Sequence, residues 1–261
     1  MAFTVHAVMP GVWHIVDCMG VCMTLLEGEN AAMLVDTGYG IEDVADFMRH
    51  MTDLPLTVFL THNHHDHAMG ARCFLETYML EADMADWRMF TDDKMRRRVL
   101  TQAIGKNLPV DEKTFLAGEI PLPKVMKPGV IDLGGLTAEI IEAPGHTPGS
   151  AVVYVPERKL LLSGDDWNPC TWLFFPQALG LREYRSNMRG IQQLPFEKVL
   201  CPHREALYDR WMFDDFFNAL TDGNLRAAEP VNIAPYEQID TCQATLPHDQ
   251  VLVFDWAKSG L

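Results

Sequence analysis

Residues 61–67 read Thr-His-Asn-His-His-Asp-His, so four of the ten histidines fall between positions 62 and 67, with an aspartate among them. Imidazole nitrogen and carboxylate oxygen are donors that Zn²⁺, Fe and Mn accept. His62 and His64 are two apart, a spacing that sends side chains to different sides of a helix but to one face of an extended segment. A loop leaving a strand can turn His62, His64, Asp66 and His67 toward one point. The alternative is a polar surface loop that takes up metal adventitiously. The density of donors directly behind the apolar run Leu56–Leu60 speaks against it. Further donors stand at the ends of other β-rich runs. His146 lies in Glu142-Ala-Pro-Gly-His-Thr-Pro-Gly149, Asp165 in Leu162-Ser-Gly-Asp-Asp166 and His203 in Leu200-Cys-Pro-His203. Loops on a rigid scaffold are common carriers of chemistry.

The segments between these donors read as a mixture of strands and helices. Val12–Val16, Val21–Leu26 and Ala32–Val35 are β-rich and broken by Pro10, Gly11, Gly20 and Gly28. Ile41–Met51 has helical spacing, and Leu56–Leu60 suits a buried strand. Tyr78 to about Leu108 reads as helical, and Leu108–Gly129 as a Pro- and Gly-rich loop. Strands resume at Val130–Asp132, Thr137–Glu142, Ala151–Val155 and Leu160–Leu162. Helices follow at Leu179–Gln193 and Glu205–Leu220, with a strand at Lys198–Cys201 between them and another at Val251–Phe254. This order suits a layered α/β fold. The expected organisation is one domain over 1–261, a helical and loop insertion at 78–128 that would serve as a lid, and a C-terminal extension at 225–261.

Composition sets the outer bounds. The chain has 261 residues, enough for one large domain or two small ones. It is 48% hydrophobic and 22% charged, which argues against intrinsic disorder. Lys plus Arg is 21 and Asp plus Glu is 36, a net charge of −15 that disfavours nucleic acid and anionic membranes as partners. No apolar stretch reaches the roughly 18 residues of a transmembrane helix. The start lacks the basic-then-apolar pattern of a signal peptide. The six cysteines include no Cys-x-x-Cys pair and read as reduced thiols, so a cytoplasmic protein is expected.

The order His-x-His-x-Asp-His, then a distant His, an Asp after Gly and a final His resembles the metallo-β-lactamase-fold superfamily. Here it runs from His62 to His203, and Asp36 in Val35-Asp-Thr-Gly38 resembles a turn beside the family's metal site. The resemblance implies an α/β fold, a four-layer αββα sandwich with a helical insertion. It implies two divalent metal ions, zinc first, with iron or manganese as alternatives. His62, His64 and His146 resemble the first metal site. Asp66, His67 and His203 resemble the second, and Asp165 the carboxylate that bridges them. His65 holds the variable position, Asp166 reads as an extra acid beside the site or in solvent, and Asp36 as the acceptor that orients a ligand histidine. Asp66 and Asp165 are the implied catalytic acids. The implied reaction is attack by a metal-bridging hydroxide on an acyl carbonyl, with Asp66 orienting the nucleophile and carrying its proton. Two divalent ions, less Asp66, Asp165 and a hydroxide, leave about one positive charge in the pocket.

Departures from particular branches narrow the function. One class of true β-lactamases has a cysteine where this chain has Asp165, another lacks the bridging aspartate, and antibiotic-degrading members are exported. Flavodiiron relatives have Glu in place of His64 and carry a flavodoxin domain, and the nuclease branches suit a charge of −15 badly. Hydroxyacylglutathione hydrolases and acyl-homoserine lactonases share the ligand set. The basic C-terminal clamp of the former is not clearly placed here, and Trp167 and Asn168 stand where the latter have a pocket tyrosine. The expectation is a metallo-hydrolase of an ester, thioester or lactone and not a true β-lactamase. The rivals are a mononuclear iron dioxygenase of the persulfide-oxidising type and a non-catalytic binding protein on the same fold. Trp167, Trp172, Phe174 and Phe175, with Trp87, Phe90 and the methionines of the insertion, could wall an apolar pocket or belong to the core. Arg182, Arg185 and Arg189 read as a solvated helix face, and Met95-Arg-Arg-Arg98 reads as solvated too. Cys201 reads as a buried thiol. The expected partner is a small-molecule substrate, apolar or weakly anionic.

Overall fold

A computed structural model describes residues 3–261. The strands, in chain order, begin with β1 (Thr4–Met9), β2 (Val12–Val16), β3 (Cys22–Glu27), β4 (Ala32–Val35), β5 (Leu56–Phe59), β6 (Tyr78–Met79) and β7 (Lys124–Val125). These form one sheet in that order, antiparallel from β1 to β4 and parallel from β4 to β7. The chain continues through β8 (Gly129–Asp132), β9 (Thr137–Glu142), β10 (Ala151–Val155), β11 (Leu160–Leu162), β12 (Cys170–Leu173), β13 (Lys198–Leu200) and β14 (Tyr208–Asp209). The second sheet has the order β14-β13-β11-β10-β9-β8, with β11 and β13 parallel. The last strands, β15 (Glu229–Pro230), β16 (Thr241–Leu246) and β17 (Gln250–Asp255), form a third, smaller sheet with β12 in the order β12-β17-β16-β15. The helices are α1 (Val44–Met51), α2 (His65–Ala68), α3 (Trp87–Thr91), α4 (Asp93–Gly105), α5 (Glu112–Phe115), α6 (Leu181–Ile191), α7 (Arg210–Ala219) and α8 (Asp222–Arg226).

Alternation along the strands builds the layers. In β4, Met33 and Val35 face the second sheet, while Ala32 and Leu34 face Val44 and Met48 of α1. In β10, Ala151, Val153 and Val155 face the first sheet, while Val152 and Tyr154 face α6 and α7 through Leu181, Met188 and Phe213. The two main sheets thus share one apolar interface, and helices cover each outer face. This is the αββα arrangement, and it explains why these strands are apolar on both faces. The third sheet joins the outer layer through Ala244, Leu252 and Phe254. The helices and loops after β6 form a separate apolar cluster around Trp87, Val99, Leu100 and Phe115.

Four readings of the sequence need correction. Leu108–Gly129 is not all loop, since it holds α5 and β7, and Glu205–Leu220 is helical only from Arg210, after β14. Tyr78–Leu108 is not continuously helical. Tyr78 and Met79 pair in parallel between Phe59 and Lys124–Val125, so the segment first adds a strand to the sheet, passes through a 3-10 turn at Glu81–Asp83 and becomes α-helical at Trp87. The tail also holds more sheet than Val251–Phe254, because β16 pairs with that strand and β15 pairs with β16.

The topology brings four loops to one edge. They follow β5, β9, β11 and β13, and main-chain bonds lace them together. Ala151 N–H donates to the Thr61 carbonyl at 3.0 Å, Ser163 N–H to the Leu200 carbonyl at 3.0 Å, and Cys22 N–H to the Pro202 carbonyl at 2.7 Å.

Candidate metal centre

The four laced loops carry His62, His64, Asp66 and His67 after β5, His146 after β9, Asp165 after β11 and His203 after β13. Their donor atoms converge. Those of His62, His64 and His146 lie within 4.8 Å of one another, as do those of His62, His67 and Asp165, and those of Asp66, His67 and His203. Asp165 stands between the histidine sets. Its Oδ2 is 3.4 Å from His146 Nε2, 3.4 Å from His67 Nε2 and 4.0 Å from His62 Nε2, and its Oδ1 is 3.0 Å from His203 Nε2. Asp66 Oδ2 is 3.7 Å from both His67 Nε2 and His203 Nε2.

Local backbone makes this aim possible. Asp36 adopts φ +65°, a left-handed conformation that aspartate tolerates better than most residues. Its carboxylate then lies beneath the His62–His67 loop, where it accepts from Thr61 N–H at 2.7 Å and from the Thr61 hydroxyl at 2.9 Å. Gly164 has φ +51°, a left-handed conformation that favours glycine before Asp165, and a Cβ there would press on the Ala151 carbonyl oxygen at 3.2 Å.

Hydrogen bonding at the far side of each ring decides which nitrogen faces the centre. His146 Nδ1–H donates to the Trp172 carbonyl at 2.7 Å, and His67 Nδ1–H to Asp36 Oδ2 at 2.9 Å. Carbonyls and carboxylates only accept, so in the neutral rings Nε2 is left as the lone pair. His62 Nδ1–H donates to the Thr61 hydroxyl at 3.0 Å, and that hydroxyl donates in turn to Asp36 Oδ2. His62 Nε2 and His67 Nε2 are buried without a hydrogen-bond partner. Buried polar atoms without partners are costly, and a cation that takes the lone pairs of these nitrogens relieves that cost. His64 is presented differently. Its Nδ1 lies 2.9 Å from His146 Nε2, and its Nε2 meets the Gln177 amide. With the amide nitrogen on that side, the ring proton sits on Nδ1 and points at His146. With the amide oxygen there, Gln177 Oε1 gains the partner it otherwise lacks, and Nδ1 is freed for a cation.

Charge divides the cluster. Burial, with the neighbouring imidazoles, pushes His62 and His64 well below the ordinary histidine value, and burial lowers His146. Burial also disfavours charge on His67 and His203, but the carboxylates of Asp165 and Asp66 outweigh it and raise both. Burial works against the Asp66 carboxylate too. The imidazoles of His67, His65 and His203 outweigh it and bring the group to about 2, and His203 and His67 hold Asp165 well below the carboxylate range. The donor set is thus three neutral imidazoles on one side and ionised carboxylates with imidazoles on the other, which matches divalent first-row metals.

Of the neighbours named from sequence, Asp36 makes the expected contact with His67. His65 does not join the donor groups; it lines the cavity with its ring edge-on to Tyr39. Asp166 is buried and accepts from His146 N–H at 3.0 Å. Cys201 is buried, and burial pushes its thiol up. The aromatic run divides: Trp167 and Phe174 are fully buried in the core, whereas Trp172 and Phe175 line a cavity of about 470 Å³ over the donor groups. Phe90 and Arg98, from the segment after β6, and Tyr236, from the tail, also line it. Arg185 is ion-paired with Asp222 at 2.7 Å, away from the donor groups. Sequence reasoning missed Gln177 and Asp83. Asp83 ties two donor loops together, accepting from Asn63 N–H at 3.2 Å, Thr147 Oγ1–H at 2.7 Å and Gly149 N–H at 2.6 Å. An acid buried in an apolar segment was the signal available for it.

Residues 16–203 match the metallo-beta-lactamase superfamily, and the chain belongs to that superfamily. It is 26% identical over 202 residues to the acyl-coenzyme A thioesterase MBLAC2 of Gallus gallus, a match covering 69% of this chain and 70% of that protein. A metallo-beta-lactamase family protein of Thermus thermophilus shares the fold with a TM-score of 0.60 at 20% identity, over 85% of this chain and 82% of its own. The inverting sec-alkylsulfatase Pisa1 of a Pseudomonas species superposes with a TM-score of 0.64 at 15% identity, over 86% of this chain and 42% of that one. Superfamily membership and the thioesterase relative together support hydrolase activity in general. No helix among the described residues is long and apolar enough to cross a membrane.

Proposed function

We propose that this protein is a metal-dependent hydrolase of ester and thioester bonds, lactones included. The observation that carries the reading is the pair of buried, partnerless nitrogens, His62 Nε2 and His67 Nε2, aimed with Asp165 at one place on the floor of an open cavity. His62, His64 and His146 would hold one divalent ion and Asp66, His67 and His203 a second, with Asp165 shared; zinc fits this donor set best, and iron or manganese also fits it. Such ions supply Lewis acidity and lower the pKa of water toward neutrality.

The remaining work falls to the chain. Asp36, Thr61 and the Trp172 carbonyl engage Nδ1–H of His67, His62 and His146, so Nε2 is the nitrogen each of these rings presents to an ion. Asp66 borders the cavity as an ionised carboxylate and can accept a hydrogen bond from an attacking water, hold its proton and return it to the leaving group. Water adds to the carbonyl carbon, the C–O or C–S bond breaks, and the alcohol or thiol leaves with a proton. Trp172, Phe175 and Phe90 exclude bulk water from one side of the cavity. The resemblance to an acyl-coenzyme A thioesterase supports the thioester half of the reading.

The test is removal and return of metal. Chelator-treated protein should lose hydrolysis of p-nitrophenyl butyrate, a butyryl thioester and a γ-lactone panel, and Zn²⁺ should restore it. Undiminished activity in protein shown to be metal-free would overturn the reading.

A further inference from the structure

The cavity above the donor groups is two-faced. On one side, the His64 ring packs between Phe90 and Phe175, with centroids 4.5 and 4.8 Å away, and Phe175 also meets His146 at 5.4 Å. Trp172 and Tyr236 extend this wall, at 6.2 and 5.4 Å from Phe175. On the other side stand Arg98, from α4, and Arg204, which directly follows His203. Arg98 lies near enough to His65 and Tyr39 for its charge to act on both. Arg204 Nη1–H donates only to the His203 carbonyl, and neither arginine is ion-paired among the described residues. Two unpaired guanidinium groups at one pocket are notable in a chain of net charge −15, where acids outnumber bases.

We infer that the substrate is an amphipathic acyl ester or thioester: its acyl group lies against Phe90, Trp172, Phe175 and Tyr236, and its leaving group carries an anion held by Arg98 and Arg204. The inference rests on the hydrolase reading above. The physical reasons are separate for the two faces. The aromatic wall offers burial but few hydrogen-bonding groups, so it suits hydrocarbon. Guanidinium forks bind carboxylate or phosphate in two-pronged fashion. The scissile carbonyl would lie between the faces, above Asp165. Because both arginines are solvent-exposed, their effect on binding will weaken as salt rises.

Three thioesters with the same acyl group separate the possibilities: neutral S-butyryl-N-acetylcysteamine, S-butyryl-3-mercaptopropionate bearing a carboxylate, and butyryl-coenzyme A bearing phosphates. The metal-loaded wild-type protein should prefer at least one anionic substrate over the neutral one in kcat/KM by about tenfold or more at low salt, as one or two charge-assisted hydrogen bonds would give. The preferred arm identifies the anion. In Arg98→Gln/Arg204→Gln that ratio should fall to within about threefold, mainly through KM, whereas Arg97→Gln, one residue away and outside the cavity, should keep it. Binding of the non-hydrolysable thioether S-butyl-coenzyme A or S-butyl-3-mercaptopropionate, by calorimetry, should follow the same order. Equal turnover of all three thioesters would overturn the anion inference and leave the hydrolase reading standing. A preference that survives in the double variant would overturn the assignment to these arginines. Failure to hydrolyse any of the three, or the ester and lactone panel, would overturn the hydrolase reading itself.

Discussion

Asp36→Asn isolates the tautomer argument from the rest of the fold. Asn tolerates the left-handed φ of +65° found at this position, so the backbone need not move. Its amide oxygen can still accept from Thr61 N–H, now at 2.7 Å, and from the Thr61 hydroxyl. Its amide nitrogen then faces His67 Nδ1, which sits 2.9 Å from the present carboxylate oxygen. Two donors cannot share that contact. The ring proton must move to Nε2, the atom aimed at the centre, or the contact must open. Removing one hydrogen bond to a charged acceptor costs about 1.5–3 kcal/mol, which corresponds to about tenfold to hundredfold in metal affinity, the range known for partners behind metal-ligating histidines. The loss should fall on the ion held by Asp66, His67 and His203. The assay is competition for Zn²⁺ with a chromophoric chelator, resolved into two binding steps, alongside urea melts of the metal-free protein to check that it remains folded. A weakened second step with a near-unchanged first step is expected. Wild-type affinity in both steps, in a folded variant, would refute the reasoning.

Two further outcomes follow from the loops that hold the donors. Burial raises the Asp83 carboxyl from its ordinary 3.8 to about 6. The folded chain therefore keeps a proton there that the unfolded chain has lost, and the stability this confers is present below about pH 4 and is lost as pH rises through 6, by up to about 3 kcal/mol. The gap in unfolding free energy between wild type and Asp83→Asn should shrink by that order between pH 4 and pH 7 in denaturant melts; a gap independent of pH would count against it. Gln177→Leu removes the only side-chain partner of His64 Nε2 among the described residues. It should weaken the ion held by His62, His64 and His146 by about tenfold, measured by the same chelator competition, while Gln177→Glu, an obligate acceptor, should retain it; equal affinities in both variants would contradict the assigned contact.

How far the sequence revealed the site depends on where each component resides. The donors were legible because His62–His67 is one short string behind an apolar strand and because His146, Asp165 and His203 each follow a β-rich run. The layered fold was legible from strands such as Ala151–Val155, whose residues are apolar on both faces. The Trp172 contribution to His146 was not, because it is a backbone carbonyl that any residue type would supply. Gln177 was hidden for a different reason: a single amide in a loop acquires meaning only when folding sets it against His64. Tyr78–Met79 misled because Met79 and Leu80 fit a helical stripe as well as a short strand. Parallel pairing with Phe59 decided the matter, and that is a tertiary fact. Trp167 and Trp172 are five positions apart in one aromatic-rich run, yet one is core and the other lines the cavity. Hydrophobicity alone does not distinguish those fates.

The central claim is a two-ion hydrolytic centre, and elemental analysis of the protein as purified, read against turnover of the same sample, tests it most directly. The prediction is close to two divalent ions per chain, zinc foremost, with ester or thioester hydrolysis proportional to occupancy and both lost in Asp165→Ala. One iron per chain with oxygen consumption and no hydrolysis would contradict it and favour the dioxygenase chemistry that the same scaffold can carry.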